Sequence, residues 1–310
     1  HLSIRRQRQM CIRDRPYIAA EYRPETSVVE TTTFEVNLIS NEPINEKADA
    51  NANKLRIGLK EVLDKIETAV SDAVRQVNLG YKALKLDPFM PEMRQHHRRY
   101  MQGSISPEGA ALATETISAM REKVGDNVEI LIDCHGNFDV PTAIAMARRL
   151  EPFNIAWFEE PVQPNSNEAL KHVKESVGVP ICVGERLYTR WDFVPILKNN
   201  LAEFLMPDIL WTGGISEFYK ISNLAESFYV PVSPHDASGP INIMAGAHTM
   251  MVVPNFYKLE FNHAQLDVHN ALIDKPLDIV SGKLQVPKTP GLGVELDVEF
   301  IEAHLDEDWN

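Results

Sequence analysis

The sequence has 310 residues, of which 44% are hydrophobic and 24% are charged, with 31 Lys and Arg against 44 Asp and Glu. This composition predicts a globular protein with a large core and excludes a disordered chain, and the length allows either one large α/β barrel or two smaller domains. The net charge of −13 argues against a nucleic-acid partner, because such proteins neutralise phosphates with clustered Lys and Arg. Small molecules and metal cations are the expected ligands.

The sequence contains no run near the roughly 20 apolar residues that cross a membrane, and its start lacks a signal-peptide pattern. We therefore expect no membrane partner and a cytoplasmic location. The three cysteines, Cys11, Cys134 and Cys182, show no Cys-x-x-Cys spacing, so neither a disulfide framework nor a zinc site is predicted. Cys134 and Cys182 lie in apolar runs and are predicted to be buried.

The first 56 residues differ in character from the rest of the chain. Residues 1–15 are rich in arginine within an otherwise acidic protein. One interpretation is a basic arm that binds nucleic acid. We favour the other, a non-native tail, because the string resembles translated sequencing-adapter sequence. Residues 16–56 are polar and irregular, and we interpret them as an N-terminal remnant of no recognisable type.

From residue 57 onward the chain alternates between predicted helices and strands. Apolar residues at helical spacing from Val62 to Val77 predict a helix that ends near Gly80. Later helices are predicted to begin near Ser106, Pro141 and Asn167 and within WDFVPILKNN, SEFYKISNLAESF and INIMAGAHTMMVV. The strands between them are YKALKLDPF, VEILID, IAWFEE, PICVGE, AEFLMPD, YVPVSPH and NFYKLEF. Such apolar strands, alternating with helices, are typical of a parallel sheet covered by helices.

One ionisable residue follows each of six consecutive strands, at the point where the apolar run stops. These residues are Asp133, Glu159, Glu185, Asp208, His235 and Glu260. In a (β/α)₈ barrel the strand ends converge at the face where active sites lie. The sequence therefore predicts an α/β fold, a (β/α)7–8 TIM-type barrel over residues 57–285. Seven strands can be counted from Tyr81, so the first is expected before residue 56 or is missing.

The first three of these residues predict a metal site. Asp133, Glu159 and Glu185 follow three consecutive strands, so we expect their carboxylates within a few ångström of one another. Carboxylates that close repel unless a hard divalent cation neutralises them, and oxygen ligands suit Mg²⁺ better than zinc. The alternative is that each one caps a helix or pairs with a neighbouring cation. The matched spacing of all three favours the metal site.

Two histidines stand out from the ten by position. His135 lies two residues after Asp133 and, by the period of a strand, should face the same side. His235 ends the strand that follows Asp208, and adjacent strand ends allow an Asp–His contact that orients the imidazole and raises its basicity. Glu160 should face the helices by the same period of two, and we interpret it as structural.

The ordered motifs LIDCHG, WFEEP, VGER, MPD, a Gly-Gly-Ile turn, SPHDASGP and KLEF resemble the enolase superfamily, specifically its mandelate racemase subgroup. Within that subgroup the Asp-x-His-Gly and His-x-x-x-Gly-Pro motifs are similar to those of acid-sugar dehydratases, with the galactonate dehydratases as the nearest type. The resemblance covers roughly residues 76–300. The set of motifs in this order is highly specific, whereas EEP alone would be weak.

This resemblance implies a hydro-lyase that converts a sugar acid, an aldonate such as galactonate or gluconate, to a 2-keto-3-deoxy acid with Mg²⁺ as cofactor. It implies that Asp133, Glu159 and Glu185 are the Mg²⁺ ligands. Enolase-superfamily sites are a standard example of a Lys or His base that acts together with Mg²⁺, and the metal ion stabilises the ene-diolate that forms when the base removes the proton.

The same resemblance implies the catalytic roles. His235, paired with Asp208, matches the base that abstracts the proton α to the substrate carboxylate. His135 matches the acid that assists departure of the β-hydroxyl, and Glu260 matches a carboxyl group near the substrate carboxylate. The candidate substrate-binding residues are Lys85, Asp87 and Arg186.

Racemases of this subgroup carry Lys-x-Lys on the second strand, where this sequence has Lys85-Leu86-Asp87. The aspartate favours a dehydratase, with a racemase, epimerase or cycloisomerase as the alternative. Lys82 lies three residues before Lys85 and is predicted to face away from the barrel.

Family members also carry an N-terminal α+β capping domain, which we expect to be truncated or absent, although residues 286–310 match the C-terminal segment that packs on it. This leaves a hypothesis of another class, a non-catalytic truncated fragment. A homo-oligomer stays open, because relatives commonly assemble.

Overall fold

The computed structural model describes residues 46–89 and 103–305. It begins with a 33-residue helix, α1 (Glu46–Asn78), which ends two residues before Gly80, as predicted. The helix starts earlier than the apolar spacing from Val62 indicates, because the preceding residues include many Ala, Lys, Leu and Glu, which favour helix without an apolar stripe. The predicted tail, residues 1–15, and the first 30 residues of the predicted remnant lie outside the described residues.

Five strands form one parallel sheet in chain order. They are β1 (Ala83–Leu86), β2 (Glu129–Asp133), β3 (Trp157–Glu159), β4 (Ile181–Val183) and β5 (Phe204–Leu205). Single parallel bridges extend the order, since Leu205 pairs with Val232 and Val232 pairs with Phe256. Five of the seven predicted strands thus form the sheet in the order of the sequence, whereas the last two predicted segments join it only through these single bridges.

Helices connect these strands, as parallel pairing requires. They are α2 (Pro107–Val124), α3 (Val140–Leu150), α4 (Asn167–Ser176), α5 (Thr189–Lys198), α6 (Ile209–Thr212), α7 (Ile215–Glu226) and α8 (Pro240–Met250). Local sequence sets several starts, because the side chains of Ser106, Asp139 and Ser166 each accept a hydrogen bond from the first turn of the helix that follows. The predicted α/β alternation is confirmed.

The core has two layers, because successive side chains of a strand point to opposite faces. The inner face carries Leu131, Trp157, Cys182 and Met206, which pack together. The outer face packs on the helices through Ile130, Ile132, Phe158, Ile181, Val183 and Leu205. Asp133 lies two residues after Leu131, and Glu159 lies two after Trp157, so both carboxylates lie on the inner face at the ends of their strands.

The chain after the last barrel segment, which contains Phe256, packs back on the barrel. It contains α9 (Leu266–Ala271), the antiparallel pair β6 (Ile279–Val280) and β7 (Lys283–Leu284), and α10 (Val298–Ala303). Leu292 packs against buried residues of α8, and its carbonyl oxygen lies 3.0 Å from Nε2 of His248. Among the described helices, none is both long and apolar enough to cross a membrane.

Candidate active site

Three buried carboxylates meet at the ends of β2, β3 and β4. One oxygen from each of Asp133, Glu159 and Glu185 lies within 4.8 Å of the others. The three residues are 3%, 0% and 8% exposed, so water screens their mutual repulsion poorly. The predicted convergence is confirmed, and this acidic triad could hold a metal ion. Its all-oxygen donor set and its concentrated negative charge fit a hard divalent cation.

Glu185 joins the triad because the backbone turns at Gly184. Cys182 lies on the inner face, so the strand period alone would direct Glu185 outward. Gly184 has a φ of +146°, and a Cβ there would lie 2.8 to 3.0 Å from backbone atoms of Met206 and Pro207. Only glycine accommodates this turn without strain.

Lys85 supplies positive charge to the acidic triad. Its Nζ lies 3.1 Å from Oδ2 of Asp133, 3.0 Å from Oε1 of Glu159 and 2.6 Å from Oε1 of Glu260. Burial alone would lower the pKa of Lys85, but these carboxylates raise it well above its usual range. The predicted substrate-binding Lys85 and the predicted Glu260 therefore lie in one ion-pair network with the triad.

His235 forms the Asp–His pair that the sequence predicts. Its Nδ1 lies 2.8 Å from Oδ2 of Asp208, and its Nε2 lies 3.1 Å from Oε2 of Glu185. Burial opposes the charged form, but hydrogen bonds to Asp208 and Glu185 raise the pKa of His235 well above its usual range. The backbone N–H of Leu210 fixes Asp208 by donating to its Oδ1 at 2.7 Å.

His135 lies at the Asp133 side of the triad. Its Nε2 is 3.5 Å from Oδ2 of Asp133, and its Nδ1 is 2.8 Å from Oδ2 of Asp87. The residue has a φ of +52°, and its side chain is 41% exposed. Burial opposes the shift, but the hydrogen bond to Asp87 and the charge of Asp133 raise the pKa of His135 to about 9. Asp87 thus contacts a histidine that the sequence predicts to be catalytic.

Arg186 and Glu160 form a second ion pair beside the triad. Nη2 of Arg186 lies 2.8 Å from Oε1 of Glu185, and Nη1 lies 3.1 Å from Oε2 of Glu160. Glu160 also accepts a hydrogen bond from the backbone N–H of Gly184. Burial raises the pKa of Glu160 to about 7, with a smaller contribution from the charge of Glu185. Lys82 is exposed, as predicted.

Sequence reasoning missed two residues that orient this site. Nε1 of Trp157 donates to Oε2 of Glu159 at 3.0 Å, and Nδ2 of Asn242 donates to the carbonyl oxygen of His235 at 3.2 Å. Trp157 could have been found from the sequence, because it lies two residues before Glu159 on the same strand and so faces the same side of the sheet. Asn242 carries no comparable signal, because its contact depends on the path of the chain between His235 and α8.

The chain belongs to a known family. Residues 68–300 match the family described as enolase C-terminal domain-like, so the predicted membership of the enolase superfamily is confirmed.

Two curated relatives show what this chain resembles. It is 34% identical over 244 residues to a D-xylonate dehydratase of Haloferax volcanii. The aligned residues cover 78% of this chain and 58% of the relative. It is 33% identical over 229 residues to a D-gluconate dehydratase of Thermoproteus tenax. The aligned residues cover 74% of this chain and 44% of the relative. The chain thus spans about half the length of these curated relatives.

Solved structures agree with this placement. A mandelate racemase/muconate lactonizing enzyme-like protein from Rubrobacter xylanophilus is 37% identical with a TM-score of 0.71, covering 77% of this chain and 61% of that one. An enolase superfamily member from Salmonella Typhimurium is 30% identical with a TM-score of 0.71, covering 76% of this chain and 61% of that one. These similarities support the predicted barrel architecture.

Proposed function

We propose that this chain forms the catalytic barrel of a hydro-lyase that dehydrates a sugar acid to a 2-keto-3-deoxy acid. The observation that carries the proposal is the placement of two imidazoles beside one acidic triad. Nε2 of His235 lies 3.1 Å from Glu185, and Nε2 of His135 lies 3.5 Å from Asp133. One site therefore offers two proton-transfer groups at different edges of a candidate cation site, as elimination of water requires.

Elimination needs one group that takes a proton and another that gives one. In the proposed reaction, Nε2 of His235 accepts the proton from the carbon α to the substrate carboxylate. The electron pair left on that carbon forms the Cα=Cβ bond as the Cβ–O bond breaks, and Nε2–H of His135 gives its proton to the departing hydroxyl, which leaves as water. The enol product then tautomerises to the 2-keto-3-deoxy acid.

The carbon acid in this reaction is very weak, so the negative charge that develops on the substrate must be stabilised. Asp133, Glu159 and Glu185 would hold a divalent cation, for which we propose Mg²⁺, and this ion would supply Lewis-acid stabilisation of that charge. Lys85 contributes further positive charge from the chain itself, since its Nζ lies within 3.1 Å of both Asp133 and Glu159. Glu260 and Arg186 are proposed to contact the substrate.

The proposed substrate is an aldonate such as gluconate or galactonate. Support comes from the relatives, which are named as dehydratases of xylonate, gluconate, arabinonate and galactonate. We assign residues 57–285 to the catalytic barrel and residues 286–310 to a C-terminal segment, as the sequence predicts.

A screen of the full chain with Mg²⁺ against a panel of aldonates and aldarates tests the proposal, with detection of 2-keto-3-deoxy acids. We expect such a product from at least one aldonate, and none from the His235→Asn variant. Racemisation or epimerisation without this product would contradict the dehydratase and favour the alternative activity. Absence of both turnover and α-proton exchange would favour the non-catalytic fragment.

A further inference from the structure

We propose that Asp87 is a positioning residue for His135: its carboxylate accepts the Nδ1 proton and turns Nε2 toward the acidic triad. This inference rests on the proposed function for its catalytic consequence. Its structural part stands on geometry alone, since Nδ1 of His135 lies 2.8 Å from Oδ2 of Asp87. An ionised carboxylate can only accept, so this hydrogen bond places a proton on Nδ1.

Asp87 is itself held firmly. The backbone N–H of Phe89 donates to Oδ1 of Asp87 at 2.8 Å, and the Asp87 side chain is only 6% exposed. Phe89 is fully buried, and its ring packs edge-on against Phe138 with centroids 4.9 Å apart. Because Phe138 follows His135 by three residues, this aromatic pair ties together the two strand-end segments that carry Asp87 and His135.

His135 needs such a partner because its side chain is 41% exposed. An exposed imidazole can rotate about its side-chain bonds and exchange its proton between the two ring nitrogens. The hydrogen bond to Asp87 holds Nδ1 on the side away from Asp133, which leaves Nε2 3.5 Å from Oδ2 of Asp133. The group that would give its proton to the leaving hydroxyl is thereby directed at the candidate cation site.

The first arm of the test detects the proton on Nδ1 of the His135 ring. In the full chain with ¹⁵N-labelled histidine, nuclear magnetic resonance should show a hydrogen-bonded Nδ1 proton on His135, assigned by its loss in His135→Asn. Asp87→Asn should lose this signal, while Asn at position 87 can still accept from the N–H of Phe89 and so preserve folding. A wild-type His135 without a bound Nδ1 proton would overturn the proposal, whatever the enzyme activity.

The second arm measures three rates with Mg²⁺: dehydration of D-gluconate, exchange of its α-proton with D₂O, and fluoride release from 3-deoxy-3-fluoro-D-gluconate. Asp87→Ala and Asp87→Asn should slow dehydration on the order of 10²-fold, the lower end of what general acid catalysis contributes. Exchange and fluoride release should stay within a few-fold of wild type, because fluoride leaves with less help from a proton donor.

Asp139→Asn is the matched control, since Asp139 lies on the same strand-end segment as His135 and caps α3 through Thr142. Asparagine keeps that cap, so all three rates should match wild type. Equal loss of all three rates in the Asp87 variants would indicate a merely structural role and overturn the catalytic consequence. If the wild-type chain dehydrates no sugar acid, the proposed function fails, and the resonance arm still decides whether Asp87 orients His135.

Discussion

Nε2 of His235 lies 3.1 Å from Oε2 of Glu185 while Nδ1 of the same ring lies 2.8 Å from Oδ2 of Asp208. One imidazole therefore joins the acidic triad to a fully buried carboxylate on the neighbouring strand end. Its orientation is fixed from both sides. A change at either carboxylate should alter the proposed base without touching it directly.

Asp208→Asn should slow α-proton exchange by a factor on the order of 10² to 10⁴, the range that a positioned proton-transfer group contributes. The amide removes the negative charge that favours the protonated ring, but it can still accept from the N–H of Leu210 and cap α6. The thermal unfolding midpoint should consequently change little. Exchange into D₂O, followed by nuclear magnetic resonance, measures the rate, and an unaltered rate would refute the role of Asp208.

The two histidines should differ in the step that each one limits. His235→Asn should abolish exchange of the substrate α-proton with D₂O, because the group that accepts the proton is gone. His135→Asn should impair dehydration more than exchange, because proton removal from the α-carbon precedes loss of the hydroxyl. Parallel measurements of exchange and 2-keto-3-deoxy product separate the roles. Equal loss of both rates in both variants would contradict the assignment.

Mg²⁺ should stabilise the folded chain through the acidic triad. A ligand at 100 times its Kd adds about 2.7 kcal/mol to the free energy of unfolding, which corresponds to an upward shift of roughly 5 to 10 °C for a domain of this size. Glu159→Gln should lose this shift in a thermal unfolding experiment. Asp72→Asn is the control, because the side chain of Asp72 is 61% exposed on α1. A shift that persists in Glu159→Gln would place the cation elsewhere.

Lys85→Met should destabilise the chain in the absence of Mg²⁺ by roughly 3 to 5 kcal/mol, since it leaves buried carboxylates without their counter-charge. Added Mg²⁺ should then raise the unfolding midpoint by more than it does in wild type. Lys82→Met provides the comparison, because Lys82 lies three residues earlier and is exposed. Equal stability of the two variants without metal would show that Lys85 does not neutralise the triad.

Gly184→Ala should cost about 1 to 3 kcal/mol of stability and weaken the Mg²⁺-induced shift. A Cβ at this position would lie 2.8 to 3.0 Å from backbone atoms of Met206 and Pro207, which follow β5. Gly125→Ala is the matched variant. Its φ is +75° but a Cβ there meets no atom within 4 Å, so it carries backbone strain without a clash. The Mg²⁺ shift should survive in Gly125→Ala, and its loss there would remove the special role of Gly184.

Much of the fold was predictable because the signals are local. The apolar strands fit a parallel sheet covered by helices, and Ser106 and Asp139 mark helix starts through hydrogen bonds that span three residues. The long start of α1 was missed, because Ala, Lys and Glu favour helix without the apolar period on which the prediction depends. The convergence of the strand ends that carry Asp133, Glu159 and Glu185 followed from strand spacing and barrel geometry together, but the inward direction of the Glu185 side chain did not.

The sequence by itself determined which residue types end the strands. It therefore also determined that carboxylates and imidazoles meet at one end of the barrel. Apart from the Asp208–His235 pair, it did not determine which of them contact each other. Only the tertiary structure decided that Lys85 lies among three carboxylates, that Asp87 contacts His135, and that the backbone turn at Gly184 brings Glu185 inward. Strand period and helix caps depend on neighbours along the chain, whereas these contacts join segments up to 175 residues apart and depend on register, twist and packing.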